Sequence, residues 1–140
     1  MLKLIENELS IEEYLGLRAS VGWKTVSEEQ ARRALAGSLF YLCVKDETGK
    51  LLGMGRLVGD GAYICYIQDL IVVPEAQGKG VGSMMITRLS AYAEELKLPD
   101  STMMLCLMCA KGREPFYEKH GFTARPTDTL GPGMIRYLTE

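Results

Sequence analysis

Hydrophobic positions along the chain follow two periods. A period of two marks strands over residues 2–8, 39–45, 51–58 and 62–73, the last one long and stopped by Pro74. A helical period follows two capping boxes, Ser10-Ile11-Glu12-Glu13 and Ser27-Glu28-Glu29-Gln30. The first box opens a helix with Ile11, Tyr14, Leu15 and Arg18 on one side, ending near Gly22. The second opens a helix that turns Ala31, Ala34 and Leu35 inward. The clearest helix covers residues 83–97, where Val81, Met85, Leu89, Tyr92, Ala93 and Leu96 form one stripe and Pro99-Asp100 breaks the pattern.

Residues 102–109 are almost continuously apolar and read as a strand covered on both faces. Residues 111–119 predict a short helix ended by Gly121, and residues 122–125 and 134–139 predict two final strands. Turns fall at Glu47-Thr48-Gly49-Lys50 and Gly59-Asp60-Gly61. The order is β-α-α-β-β-β-α-β-α-β-β. Strand 62–73, its helix and strand 102–109 form a βαβ unit, so those two strands run parallel. The fold class is α/β, with a mixed (α+β-like) central sheet flanked by helices.

Gln77-Gly78-Lys79-Gly80-Val81-Gly82 lies between that long strand and the clearest helix. Glycines let the backbone adopt positive φ and approach a ligand. The first amides of a helix have no internal acceptor, and the helix dipole adds partial positive charge there. A strand, a glycine turn and a helix start therefore predict an anion cradle for a phosphorylated cofactor. A Walker loop needs Ser or Thr after its lysine, whereas Lys79 is followed by glycine. The spacing is G-x-G-x-G, which also departs from the dinucleotide fingerprint.

At 140 residues the chain predicts one domain, residues 1–140. A net charge of −2 argues against nucleic acid as the main partner. No apolar run reaches the roughly 18 residues that span a bilayer, so no membrane partner is expected. The N-terminus becomes charged too early for a signal peptide, and the expected compartment is the cytoplasm. Cys43, Cys65, Cys106 and Cys109 fall in predicted strands, as buried reduced thiols do. On a strand, Cys106 and Cys109 face opposite sides. With a single histidine in the chain, no metal site is expected.

Three pieces in register give the chain a family resemblance. Leu70-Ile71-Val72-Val73-Pro74-Glu75-Ala76-Gln77-Gly78-Lys79-Gly80-Val81-Gly82 is similar to the signature of the GNAT N-acetyltransferases, an apolar strand and proline followed by Gln/Arg-x-x-Gly-x-Gly/Ala. Phe116-Tyr117-Glu118-Lys119-His120-Gly121-Phe122 resembles the family's second signature. The element order matches the family fold, in which two parallel strands splay apart.

The resemblance implies acetyl-CoA as cosubstrate. Its pyrophosphate would lie over the amides of Gly78, Lys79, Gly80, Val81, Gly82 and Ser83, with Gln77 at the loop entry. Lys79, Lys111 and Arg113 are the cations available to nucleotide phosphates. The backbone of Leu70, Ile71 and Val72 would hold the pantetheine arm as an added strand, and an N–H near Val72 would stabilise the oxyanion. Tyr117 matches the general acid that protonates the leaving sulfur. Many relatives carry a base glutamate where this chain has Tyr66. Asp69 is the nearest acidic candidate, with a hydrogen-bonded structural aspartate as its alternative. Water relayed through Tyr66, Gln68 or Asp69 is the other route. An asparagine that many relatives carry is Ala110 here. His120 reads as a solvated cap.

The acceptor pocket is expected between the first two helices and the last hairpin, with Trp23 either lining it or anchoring the core. Val21-Gly22-Trp23 with Val58-Gly59-Asp60-Gly61 resembles a subgroup that includes plant serotonin-acetyltransferase-like enzymes. Glu12, Glu13, Glu28 and Glu29 form either a field for a cationic acceptor or a solvated helix face. The leading expectation is transfer of an acetyl group to a primary amine of a small molecule by direct attack in a ternary complex. Acetylation of protein lysines or N-termini, and a non-catalytic acyl-CoA-binding module, are the alternatives. Domains of this family often pair, which makes a homodimer compatible with the resemblance.

Overall fold

Side-chain caps fix where the first two helices begin. In the computed structural model, which describes residues 1–139, the Ser10 hydroxyl accepts from the Glu13 amide and the Glu13 carboxylate accepts from the Ser10 amide. Ser27 and Gln30 repeat the arrangement. These reciprocal bonds satisfy donors that the first helical turn would otherwise orphan. They start α1 (Ile11–Ser20) and α2 (Glu28–Ala36). Tyr14 and Leu17 are the buried residues of α1, so its inward stripe is rotated from the one that included Leu15.

The strands are β1 (Lys3–Glu6), β2 (Phe40–Lys45), β3 (Leu51–Gly59), β4 (Ile64–Val72) and β5 (Met104–Leu107). They form one sheet in chain order, antiparallel from β1 to β4 and parallel between β4 and β5. The mixed-sheet expectation holds, including the parallel βαβ pair. Asp60 organises the turn before β4. Its carboxylate accepts the amides of Ala62, Tyr63 and Ile64, so β4 starts at Ile64 and not at residue 62.

α3 (Val81–Leu96) crosses one face of the sheet. Val81, Met85, Ile86, Leu89 and Ala93 are its buried residues. Gly53 and Gly55 of β3 allow the approach. A Cβ at Gly53 would stand 2.6 Å from the Ile71 carbonyl oxygen and 2.9 Å from Met85 Cε. One at Gly55 would meet Leu89 Cδ1 at 2.8 Å. At the far end of α3, Phe40 stacks on Tyr92 at 4.0 Å, and the Arg88 guanidinium lies over both rings while pairing with Glu6 and Glu95. Neighbouring β3 side chains alternate faces. Met54 and Arg56 therefore look toward α1 and α2.

These elements make up one compact unit, Met1–Leu107; a second begins at Met108. In the second, α4 (Glu114–Lys119) is the only regular element among the described residues. The strands expected over residues 122–125 and 134–139 are not formed. At the first of them Phe122 N–H donates to the Tyr117 carbonyl, and between the two Thr127 N–H donates to the Leu130 carbonyl in a local turn. The Arg125 side chain donates to the Gly131 carbonyl. Pro126 and Pro132 have no N–H to give, and among the described residues this unit holds no strand to pair with. The strand expected over residues 102–109 is likewise shorter, leaving Cys109 exposed outside it. All four cysteines are free. Among the described residues no helix is long and apolar enough to cross a membrane, and no cluster of His, Cys, Asp and Glu is placed to hold a metal ion.

Candidate active site

The glycine loop adopts the geometry that its composition demands. After β4 a short turn, Pro74–Ala76, leads to Gly78 at φ +80° and Gly80 at φ +86°, both left-handed. Gly80 is the N-cap of α3 and brings no side chain to satisfy the helix's first amides. Those donors face outward at the positive end of the helix dipole. Nothing lies within 4 Å of a Cβ position at Gly78 or Gly80, so the loop presents open backbone. A diphosphate fits this donor set. Gln77 fastens the loop to the strand before it, donating Nε2 to the Val72 carbonyl at 3.1 Å.

β4 loses its parallel neighbour halfway along. The β4–β5 ladder pairs Ile64 with Met104 through Ile67 with Leu107 and stops. Among the described residues, Leu70, Ile71 and Val72 have no ladder partner on that side. Val73 donates its amide to Leu52 of β3 at 2.9 Å. By alternation, the N–H and C=O of Val72 point to the opposite, unladdered edge. A bulge lies at the same level: Met54 faces Ile71 and Arg56 faces Gln68, so β4 carries one residue more than β3. Such an insertion bends and twists its strand. Asp69 takes φ +56° there.

The bulge aims Asp69 toward α1 and α2, where its side chain is fully buried. Its carboxylate accepts from the Tyr14 hydroxyl, from Arg18 Nη1 at 2.7 Å, from Arg56 Nε at 2.8 Å and from Gln68 Nε2 at 3.2 Å. These bonds fill the roughly four acceptor positions of a carboxylate. Burial alone would push the Asp69 carboxyl up, but Tyr14 and Arg56 hold it below the ordinary carboxylate value. Burial and the Asp69 charge push the Tyr14 phenol up. Asp69 is thus a hydrogen-bonded, ion-paired carboxylate.

A cleft of about 560 Å³ opens beside this cluster. Arg18, Arg33 and Arg56 line it with Gln30, Gln68 and Asp69. Trp23 is not in its wall. The ring lies instead under the Arg18 guanidinium at 5.6 Å. Of the acidic helix residues, Glu13 pairs with Lys45, and Glu29 pairs with Arg32 and with the cleft-lining Arg33. Tyr66 lies opposite Val58 and Cys106, on the same face as Gln68. Arg18 and Arg56 were not singled out as site residues from sequence. The available signal was a cation within an inward helix stripe and another within an apolar strand, since buried charge needs a partner.

In the second unit, Tyr117 lies on α4 with its ring edge-on to Phe116 at 5.0 Å and to Phe122 at 6.0 Å. Burial, reinforced by Cys109, pushes its phenol up to about 12. The hydroxyl is therefore a proton donor throughout the neutral range. His120 is the C-cap of α4, tilted against Phe116.

The chain is similar to known proteins along most of its length. A family model described as an acetyltransferase (GNAT) domain matches residues 36–124. An uncharacterized N-acetyltransferase of Pyropia yezoensis is 28% identical over 115 residues, covering 80% of this chain and 64% of the relative. Serotonin N-acetyltransferase 2, chloroplastic, of Oryza sativa is 34% identical over 76 residues, covering 52% of this chain. The chain spans 64% and 38% of the lengths of these two curated relatives. An acetyltransferase-like protein of unknown function from meticillin-resistant Staphylococcus aureus superposes with a TM-score of 0.85 at 29% identity, covering 98% of this chain and 100% of that one. A GNAT-family acetyltransferase of Streptococcus pneumoniae does so with a TM-score of 0.79 at 28% identity over the full length of both chains. The matched stretch takes in everything from β2 to the tyrosine helix, more than half of the sequence, and this chain is a member of the GNAT acetyltransferase family.

Proposed function

We propose that the protein moves an acetyl group from acetyl-CoA to the primary amine of a small molecule, by direct attack within a ternary complex. One observation carries the reading: the uncapped, glycine-bounded start of α3 stands directly after a strand whose last residues have a free edge. The amides of Gly78 to Ser83 would hold the pyrophosphate, with Lys79 as a nearby exposed cation. The main chain of Leu70, Ile71 and Val72 would receive the pantetheine arm as an added strand. The cosubstrate supplies an acyl thioester.

The outward N–H of Val72 is positioned to stabilise charge developing on the thioester oxygen, an effect typically worth ~3 kcal/mol. Tyr117 is the proposed acid, holding its proton at the phenolic oxygen for the departing sulfur. Proton removal from the amine is assigned to water on the Tyr66 and Gln68 face of β4, with Asp69 kept as the lesser candidate because its acceptor positions are filled. The four free cysteines are consistent with a reducing, cytoplasm-like compartment.

A thiol-release assay with acetyl-CoA and a panel of amines tests the reading, and calorimetric titration with CoA tests its foundation. Turnover with small amines supports it, and absence of saturable CoA binding overturns it. The filled carboxylate of Asp69 and the tyrosine at position 66 favour a second reading, a non-catalytic acyl-CoA-binding module. Tight CoA binding without turnover on any amine or peptide would select that reading. Turnover on peptides alone would move the acceptor to protein lysines or N-termini.

A further inference from the structure

We infer that the cleft between α1, α2 and β4 takes an anionic oxygen group, a carboxylate or a phosphate, carried by the acceptor amine. The inference rests on the acetyltransferase reading for its word "acceptor", but the donor balance of the cleft stands by itself. Three guanidinium groups line the cleft; Arg18 and Arg56 share the Asp69 carboxylate and Arg33 pairs with Glu29 outside the wall, which leaves one positive charge uncompensated. That carboxylate already accepts from Tyr14, Arg18, Arg56 and Gln68 and has no capacity left for an ammonium group.

Donors, by contrast, remain. Arg18 uses Nη1 on Asp69 and Nη2 on the Lys24 carbonyl, while its Nε is buried with no hydrogen-bond partner. An orphaned buried donor of this kind is costly, and an acceptor that reached it from the cleft would relieve it. Arg33 reaches Glu29 with Nε and holds its planar fork at the exposed rim. Gln30 gives its side-chain oxygen to the α2 cap, which leaves its amide nitrogen for the cleft. Donor-rich walls with a saturated acceptor select an anion, and arginine forks match carboxylate and phosphate geometry. A purely cationic amine finds no open carboxylate in the wall, where Asp69 is saturated, so Glu12, Glu13, Glu28 and Glu29 are read as a solvated helix face and not as a field for a cationic acceptor.

Matched pairs of probes test this by calorimetry and by acetyl transfer. In the carboxylate arm, glycine, glutamate and tryptophan are set against their carboxamides at the acid group. In the phosphate arm, O-phosphoethanolamine is set against ethanolamine. We expect at least one anionic probe to bind and react roughly tenfold or more better than its neutral twin. The arm that shows the preference names the group. Arg33→Gln should narrow that ratio severalfold, chiefly through KM. Arg32→Gln, which also removes a partner of Glu29 but lies outside the cleft wall, should leave it intact. Neutral twins that match or exceed their anionic partners in both arms overturn the inference. So does a preference that Arg33→Gln and a milder Arg18→Lys both leave unchanged. If no amine reacts but the binding preference persists, the anion site stands and the enzymatic reading falls.

Discussion

Gln77 donates its side-chain amide to the main-chain carbonyl of Val72, across 3.1 Å. The bond ties the entrance of the anion loop to the end of the strand proposed to hold the cofactor arm. Gln77→Leu removes the donor from an exposed position, so its stability cost should be small, on the order of 1 kcal/mol or less. CoA affinity should nonetheless fall about fivefold, because the loop must then be ordered by the ligand. Calorimetric titration of CoA beside a urea melt separates the two effects. Unchanged affinity would remove Gln77 from the positioning role.

Tyr117→Phe should reduce turnover by roughly 100-fold or more while CoA still binds. The phenol is pushed up to about 12, so wild-type activity should show no loss from Tyr117 deprotonation between about pH 7 and 10. A pH–rate profile with a fixed amine acceptor checks this, after correction for the amine's own titration. An alkaline decline present in wild type and absent in Tyr117→Phe would contradict it.

Asp69 links acid sensitivity to the cleft. Its carboxyl is held below the ordinary value in the folded state, so folding favours the ionised form. The resulting stabilisation is complete above the unfolded value, near ~3.9, and is lost as pH falls through the lower folded value. Asp69→Asn leaves Arg18 and Arg56 without their shared counter-charge and should cost about 3 kcal/mol or more at pH 7. The difference between wild type and variant should shrink as pH drops below ~4. Denaturant melts across that window measure it, and a constant difference would refute the linkage.

Gly53 and Gly55 of β3 should respond unequally to a methyl group. At Gly53 the new Cβ stands 2.6 Å from a main-chain oxygen of β4, which can relax only by moving the strand. At Gly55 the neighbours are the side-chain tips of Leu89 and Leu70, which can turn. Gly53→Ala should therefore destabilise by about 2–3 kcal/mol and Gly55→Ala by less. Thermal melts of both variants rank them.

The elements that sequence revealed were those specified by local chemistry. Ser10 with Glu13 and Ser27 with Gln30 announced two helix starts, and Gly78 with Gly80 announced the loop. The strands lost from the C-terminal end failed for a reason that local pattern does not carry. A strand needs a partner, and α4 is the only regular element described beyond Leu107. The cluster around Asp69 was equally hidden. Tyr14 and Asp69 lie 55 positions apart, and only the bulge, itself a mismatch between two strands, turns the carboxylate toward α1.

The half-length ladder between β4 and β5 has a further result. A sheet margin without a ladder neighbour, its Val72 carbonyl met only by the Gln77 side chain, is a template for any extended chain, including another copy of this one. A ligand that lies along that margin would also shield it. Purified stocks should therefore clump more readily when stripped of CoA than when saturated with it, which makes light scattering a simple report on whether the margin is covered.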